Sequence, residues 1–119
     1  MAKAISDDIA YKGSGIIIAV KFPKVDDIYS FADLLAAGYI TVKHYIINTS
    51  VKTDITNSLY RLYDSTNNDY DNIYAFYVDT TNLKTGVLMV EVTAKIPAHG
   101  NLVARTEIAR CSTGIAILE

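Results

Sequence analysis

The chain has 119 residues, close to the size of one average domain, with half of them hydrophobic and a fifth charged. That balance excludes a disordered chain, and a domain of this length buries about two thirds of its unfolded surface without help from a metal or disulfide. The formal charge of -2, from 11 basic and 13 acidic residues, argues against a nucleic-acid backbone as the main partner.

The single cysteine, Cys111, cannot close an intramolecular disulfide, unlike the even sets of small secreted domains. Asp7 and Asp8 fall where the apolar part of a signal peptide would lie. The uninterrupted apolar run at residues 16–20 is far short of the ~20 residues of a membrane span. The expectation is one domain over residues 1–119, made in the cytosol, where it stays soluble or is assembled into something larger, with no membrane partner. The Asn48-Thr49-Ser50 sequon then reads as a polar turn.

The 15 Ile, 9 Val, 11 Thr and 9 Tyr favour pleated, half-buried surfaces. In chain order, residues 4–11 predict an edge strand or an arm, with residues 1–12 as the N-terminal unit. Gly13-Ser14-Gly15 is a turn. Residues 16–22 predict a strand, whose three successive isoleucines suggest burial on both faces. Pro23 ends it. Over 30–37, Ser30 as a cap, Phe31, Leu34 and Leu35 at helical spacing and Gly38 as a stop predict one or two helical turns. Residues 39–47 predict a strand with Ile40, Val42 and Ile46 on one face and His44 pointing inward.

Residues 54–63 fit either state: Ile55, Leu59 and Leu62 have helical spacing, whereas Tyr60 and Leu62 suit one strand face. The strand is preferred because its neighbours are strands. Residues 64–72 predict a polar turn and 73–78 a strand. In the long strand over 87–96, Leu88, Val90, Val92 and Ala94 form a cleanly apolar face. Residues 102–118 close the sheet, with a break near 112–114. The result is an all-β protein of seven or eight strands and one short helix. Sequential antiparallel pairing in a two-sheet sandwich is the simplest topology.

Little in the sequence carries chemistry. His44, His99 and Cys111 lack the paired spacing of a zinc site. Asp64, Asp69 and Asp71 crowd one turn, but an EF-hand needs Gly at the sixth position, where Asp69 stands. Cys111 has no local group to activate it and reads as a small buried hydrophobe. Gly13-Ser14-Gly15 lacks the third glycine of a dinucleotide loop, and no Gly-x-Ser-x-Gly elbow exists. Glu91, Glu107 and Glu119 are the only glutamates, so paired acids cannot be placed; Glu91 and Glu107 are expected on exposed sheet faces. The expectation is no enzyme, no cofactor and no metal. Tyr60, Tyr63, Tyr70, Tyr74 and Tyr77 fall within 18 residues and read as a protein interface, the surface where tyrosine is enriched.

Within residues 77–97, an Asp, then Asn82-Leu83-x-x-Gly86, then a long alternating strand ending in Ile96-Pro97 resembles immunoglobulin-like β-sandwich virion proteins of tailed phages. The similarity extends to small accessory proteins of Bacteroides-infecting, crAss-like phages, whose closing strand matches Arg105-Thr106-Glu107 and Thr113-Gly114-Ile115. The match covers about 40 of the 119 residues, and Pro97-Ala98-His99-Gly100 replaces the family's Pro-Asp-Gly loop. The resemblance implies an Ig-like antiparallel β-sandwich acting as an auxiliary or decoration protein of the capsid. It would contact the major capsid protein, other virion proteins or further copies of itself. A tail, connector or baseplate adaptor, a head-fibre anchor and a carbohydrate-binding module are the alternatives. The expected contact residues are Ile5, Ile9 and Tyr11 of the N-terminal arm and Tyr60, Tyr63, Tyr70 and Tyr74.

Overall fold

The computed structural model describes residues 3–4, 8–22, 26–62 and 73–119. In chain order the elements are β1 (Lys3–Ala4), β2 (Asp8–Tyr11), β3 (Gly15–Lys21), α1 (Phe31–Ala36), β4 (Ile40–Ile46), β5 (Thr53–Asp54), a 3-10 turn (Thr56–Ser58), β6 (Tyr60–Arg61), β7 (Ile73–Asp79), β8 (Gly86–Ile96) and β9 (Arg105–Leu118). The strands form two sheets, ordered β1-β3-β7-β6 and β2-β9-β8-β4-β5. The sheets curl round a shared core, a β-sandwich in general plan.

The core follows from alternation. On β8, Leu88, Val90, Val92 and Ala94 are at most 1 % exposed, as the period-two pattern requires. Ile40, Val42 and Ile46 of β4 and Cys111, Ile115 and Ile117 of β9 share their layer. Facing them from the first sheet are Ile18 and Val20 of β3 and Tyr74, Phe76 and Val78 of β7. His44 also lies inward, at 5 % exposure.

Helix α1 closes one end of this core. The Ser30 hydroxyl caps it by accepting from the Asp33 amide at 3.1 Å. Phe31 and Leu34 turn inward, and Phe31 stacks on Phe22 with centroids 5.1 Å apart. The helix ends at Ala37, with Gly38 just beyond.

Several expectations are corrected. Pairing among the long strands is mostly not sequential: β3 pairs with β7, β4 with β8, and β2 runs parallel to β9. Short local strands cannot reveal which distant partner completes a sheet. Ile17 is 70 % exposed, so β3 is not buried on both faces. Only one side of its sheet faces the core. The described part of the 54–63 segment is neither one strand nor one helix; two short strands flank the 3-10 turn. For the N-terminal residues the first of the two alternatives holds: β1 and β2 are edge strands within this chain's own sheets, and the free-arm alternative falls. The polar turn of 64–72 lies outside the described residues.

The break expected near 112–114 is present. Val87 pairs with Ala116 but Met89 with Ser112, so β9 carries extra residues against β8 at that point. Parity survives the irregularity: Cys111, Thr113, Ile115 and Ile117 all remain buried.

Candidate functional site

The expected contact residues separate onto different faces. In β2, Ala10 is buried while Ile9 and Tyr11 are 55 % and 59 % exposed. Parallel pairing sets Ile9 beside Ala116 and Tyr11 beside Leu118, which is itself 39 % exposed. These side chains form an apolar corner on the outer face of the second sheet, next to its β2 edge. Leu118 was not singled out in the sequence; its place one step beyond buried Ile117 is the signal that finds it.

On the opposite side of the molecule, Tyr60 is 69 % exposed and pairs with Ala75. Tyr77, two residues along β7, lies on the same outer face and pairs with Ile17. The Tyr77 ring lies over Gly15, where any Cβ would collide with it. Tyr60, Tyr77 and Ile17 thus form a second exposed patch.

Tyr74 is a correction: expected as a contact residue, it is buried. It is 3 % exposed and packs on Phe22 and Phe31, with centroids 5.9 and 5.3 Å away. Burial pushes its phenol above the ordinary value. It alternates with Ala75 and so points to the core, not to a partner. Ile5, Tyr63 and Tyr70 lie outside the described residues.

A charged cluster occupies the middle of the second sheet's outer face. Glu91 sits between Lys43 of β4 and Arg110 of β9 in register. One Glu91 carboxylate oxygen, Oε2, accepts from Lys52 Nζ at 2.9 Å and Arg110 Nε at 2.7 Å. Hydrogen bonds from Lys52 and then Arg110 hold the carboxyl below the usual carboxylate range. Lys52 also lies 5.3 Å from the centre of the Tyr45 ring. Glu91 was expected on an exposed sheet face; held by the two cations, it is 8 % exposed. Glu107 is exposed as expected.

At the α1 end, an ion-pair chain ties the β3–α1 connection to β9. Asp26 Oδ1 accepts from Arg105 at 2.6 Å, and Arg105 Nε also donates to Glu107 at 3.1 Å. The amides of Tyr29 and Ile28 both donate to Asp26 Oδ2 at 2.9 Å. Arg105, then these amides, lower the Asp26 carboxyl to about 2. Tyr29 meets His99 edge-on, with centroids 6.0 Å apart.

Two clefts accompany these surfaces. A cleft of about 270 Å³ lies between the β4–β5 and β7–β8 loops. A shallower one of about 340 Å³ lies beside Tyr39, Lys95 and Arg105. Among the described residues, no group of three or more His, Cys, Asp or Glu is arranged to hold a metal ion. No described helix is long and apolar enough to cross a membrane.

No family model matches the chain, and no curated protein matches it in sequence.

Proposed function

We propose that the chain is an Ig-like β-sandwich serving as a non-enzymatic structural component of a phage virion, docked as an auxiliary protein on the capsid. The strand order supports the fold part of this reading. β1-β3-β7-β6 follows the A-B-E-D order of an Ig sandwich, and β9-β8-β4-β5 follows G-F-C-C′, with β2 added beside the G position. The sequence resemblance over residues 77–97 and 105–115 supports the virion part.

The observation that carries the docking role is the apolar corner of Ile9, Tyr11 and Leu118. Two of these residues were expected contacts from the sequence, and all three expose large apolar area on one face. Contiguous exposed apolar surface marks interaction sites far more often than isolated exposed residues do. Tyrosine at such a corner contributes large contact area at small entropic cost.

The test is binding of the purified chain to phage particles that lack it. An Ile9→Asp/Tyr11→Asp double variant should keep its fold by circular dichroism and lose at least about tenfold in particle affinity. Undiminished binding by a folded double variant would remove this corner as the docking surface. A tail adaptor or fibre anchor could use the same corner; copy number per particle separates those roles from capsid decoration.

A further inference from the structure

We infer that the cleft between the β4–β5 and β7–β8 loops binds a single acidic sugar unit. Its volume of about 270 Å³ falls just under the roughly 300–1,000 Å³ of drug-sized sites, which suits one ring and not an extended chain. Asn48, Thr49, Ser50 and Asn82 line it with amides and hydroxyls, the groups that pair with vicinal hydroxyls. Ile46 and Leu83 supply apolar lining for the C–H face of a ring. Among the described lining residues, Lys84 carries the only charge. A carboxylate complements it, and a cationic ligand is disfavoured. One lysine, with no arginine and no aromatic side chain in the described lining, suits a carboxylate better than a nucleotide, which needs phosphate cradling and base stacking.

The walls are built before any ligand arrives. Thr49 donates to the Ile46 carbonyl twice, from its amide at 3.0 Å and its hydroxyl at 2.6 Å. The bond from Lys52 to Glu91 anchors the far end of the same loop. On the other wall, the Leu83 amide closes a turn onto Thr80 at 3.1 Å, and fully buried Thr80 donates from Oγ1 to the Ser14 carbonyl at 2.7 Å. Gly86, at φ 136°, brings β8 so close to Ile46 that a Cβ would lie 2.9 Å from its Cγ2. Asn48 adopts φ 64°, a left-handed conformation that asparagine tolerates. Prebuilt walls lower the ordering cost of binding.

The experiment is amide-resolved NMR titration of the isotope-labelled full chain with sodium glucuronate, with glucose as the neutral match and sodium acetate as the charge-only match. Glucuronate should shift the amides of residues 46–53 and 82–84 saturably, and glucose and acetate should bind more weakly. Lys84→Gln should weaken glucuronate binding by about tenfold, the effect of losing one charge-assisted hydrogen bond. Asn48→Gly, which suits the left-handed backbone, should weaken it while leaving the remaining spectrum in place. No saturable shift, shifts centred elsewhere, or equal affinity for glucuronate and glucose would overturn the inference. Particle binding through Ile9 and Tyr11 is read by a different assay, so either result stands without the other.

Discussion

Tyr74 and Tyr60 show how little residue type decides alone. They sit on neighbouring strands, yet one is 3 % and the other 69 % exposed. Tyr74→Ala should destabilise the chain by about 3 kcal/mol, as truncation of a buried aromatic does, whereas Tyr60→Ala should change stability by less than about 0.5 kcal/mol. Urea denaturation of both variants checks the pair. Composition suggests a surface role for the clustered tyrosines and does not distinguish Tyr74 from Tyr60. Their division between core and solvent depends on register with β3 and β6, which composition does not contain.

His44 sets a second expectation at this scale. It is 5 % exposed and its Nδ1 has no hydrogen-bond partner, so burial lowers its pKa below the ordinary value near 6.5. The unfolded chain therefore takes up a proton that the folded chain resists. The stability that neutral His44 preserves is complete above about pH 6.5 and is lost as pH falls below it. His44→Leu should flatten the fall in Tm between pH 7 and pH 5. The lowered carboxyls of Asp26, Asp54, Asp79 and Glu91 lose their contribution only as pH falls through the ordinary carboxylate range and below it, so they leave most of this window clear. An unchanged slope in the variant would show that another group governs it.

Among the elements, the N-terminal strands decide between two readings, an edge strand and a free arm, in favour of the first. A free arm could be removed without cost to folding. Instead, β1 extends the first sheet and β2 the second, and β2 lays Ala10 at 7 % exposure beside Ile117. Deleting residues 1–10 should therefore cost about 2 kcal/mol or more, a fall in Tm of roughly 8 °C. A deletion variant with unchanged Tm would restore the arm. Calorimetry of the truncated chain decides between the two.

β4, β7, β8 and α1 were legible because each carries a local signal: alternation for the strands, a cap and a stop for the helix. The segment 54–63 was not. Its apolar residues fit two periods, and the chain resolves the conflict by breaking it into Thr53–Asp54, a 3-10 turn and Tyr60–Arg61. The Thr56 hydroxyl accepts from the Val42 amide at 2.8 Å, and the Asp54 side chain accepts from the Thr56 amide at 2.9 Å. These side-chain bonds compete with a regular ladder and favour a turn. Glu91 was misplaced for a related reason. Its strand face was correct, but Lys52 reaches it from another connection, which periodicity on β8 cannot report.

At the scale of the molecule, the alternation on β8 gave the core face, and nothing local gave the strand order. Pairings such as β3 with β7 join residues some 60 positions apart, for example Gly15 and Asp79. The parallel addition of β2 to β9 likewise joins the two ends of the described chain. The candidate surfaces inherit this limit. Ile9 and Tyr11 were legible as exposed apolar residues, whereas Leu118 beside them and the cleft at Lys84 appear only once distant segments meet.

As the proposed structural part of a phage particle, the chain should be found in purified virions. Quantitative mass spectrometry of purified virus particles from the source of the chain, scaled to the major capsid protein, is the measurement that decides. The expected result is a fixed stoichiometry near one copy per capsid subunit or one per hexamer, the signature of repetitive decoration of a symmetric lattice. A ratio of roughly a dozen copies per particle would move the protein to the portal or tail. Its absence from purified particles would contradict the claim outright.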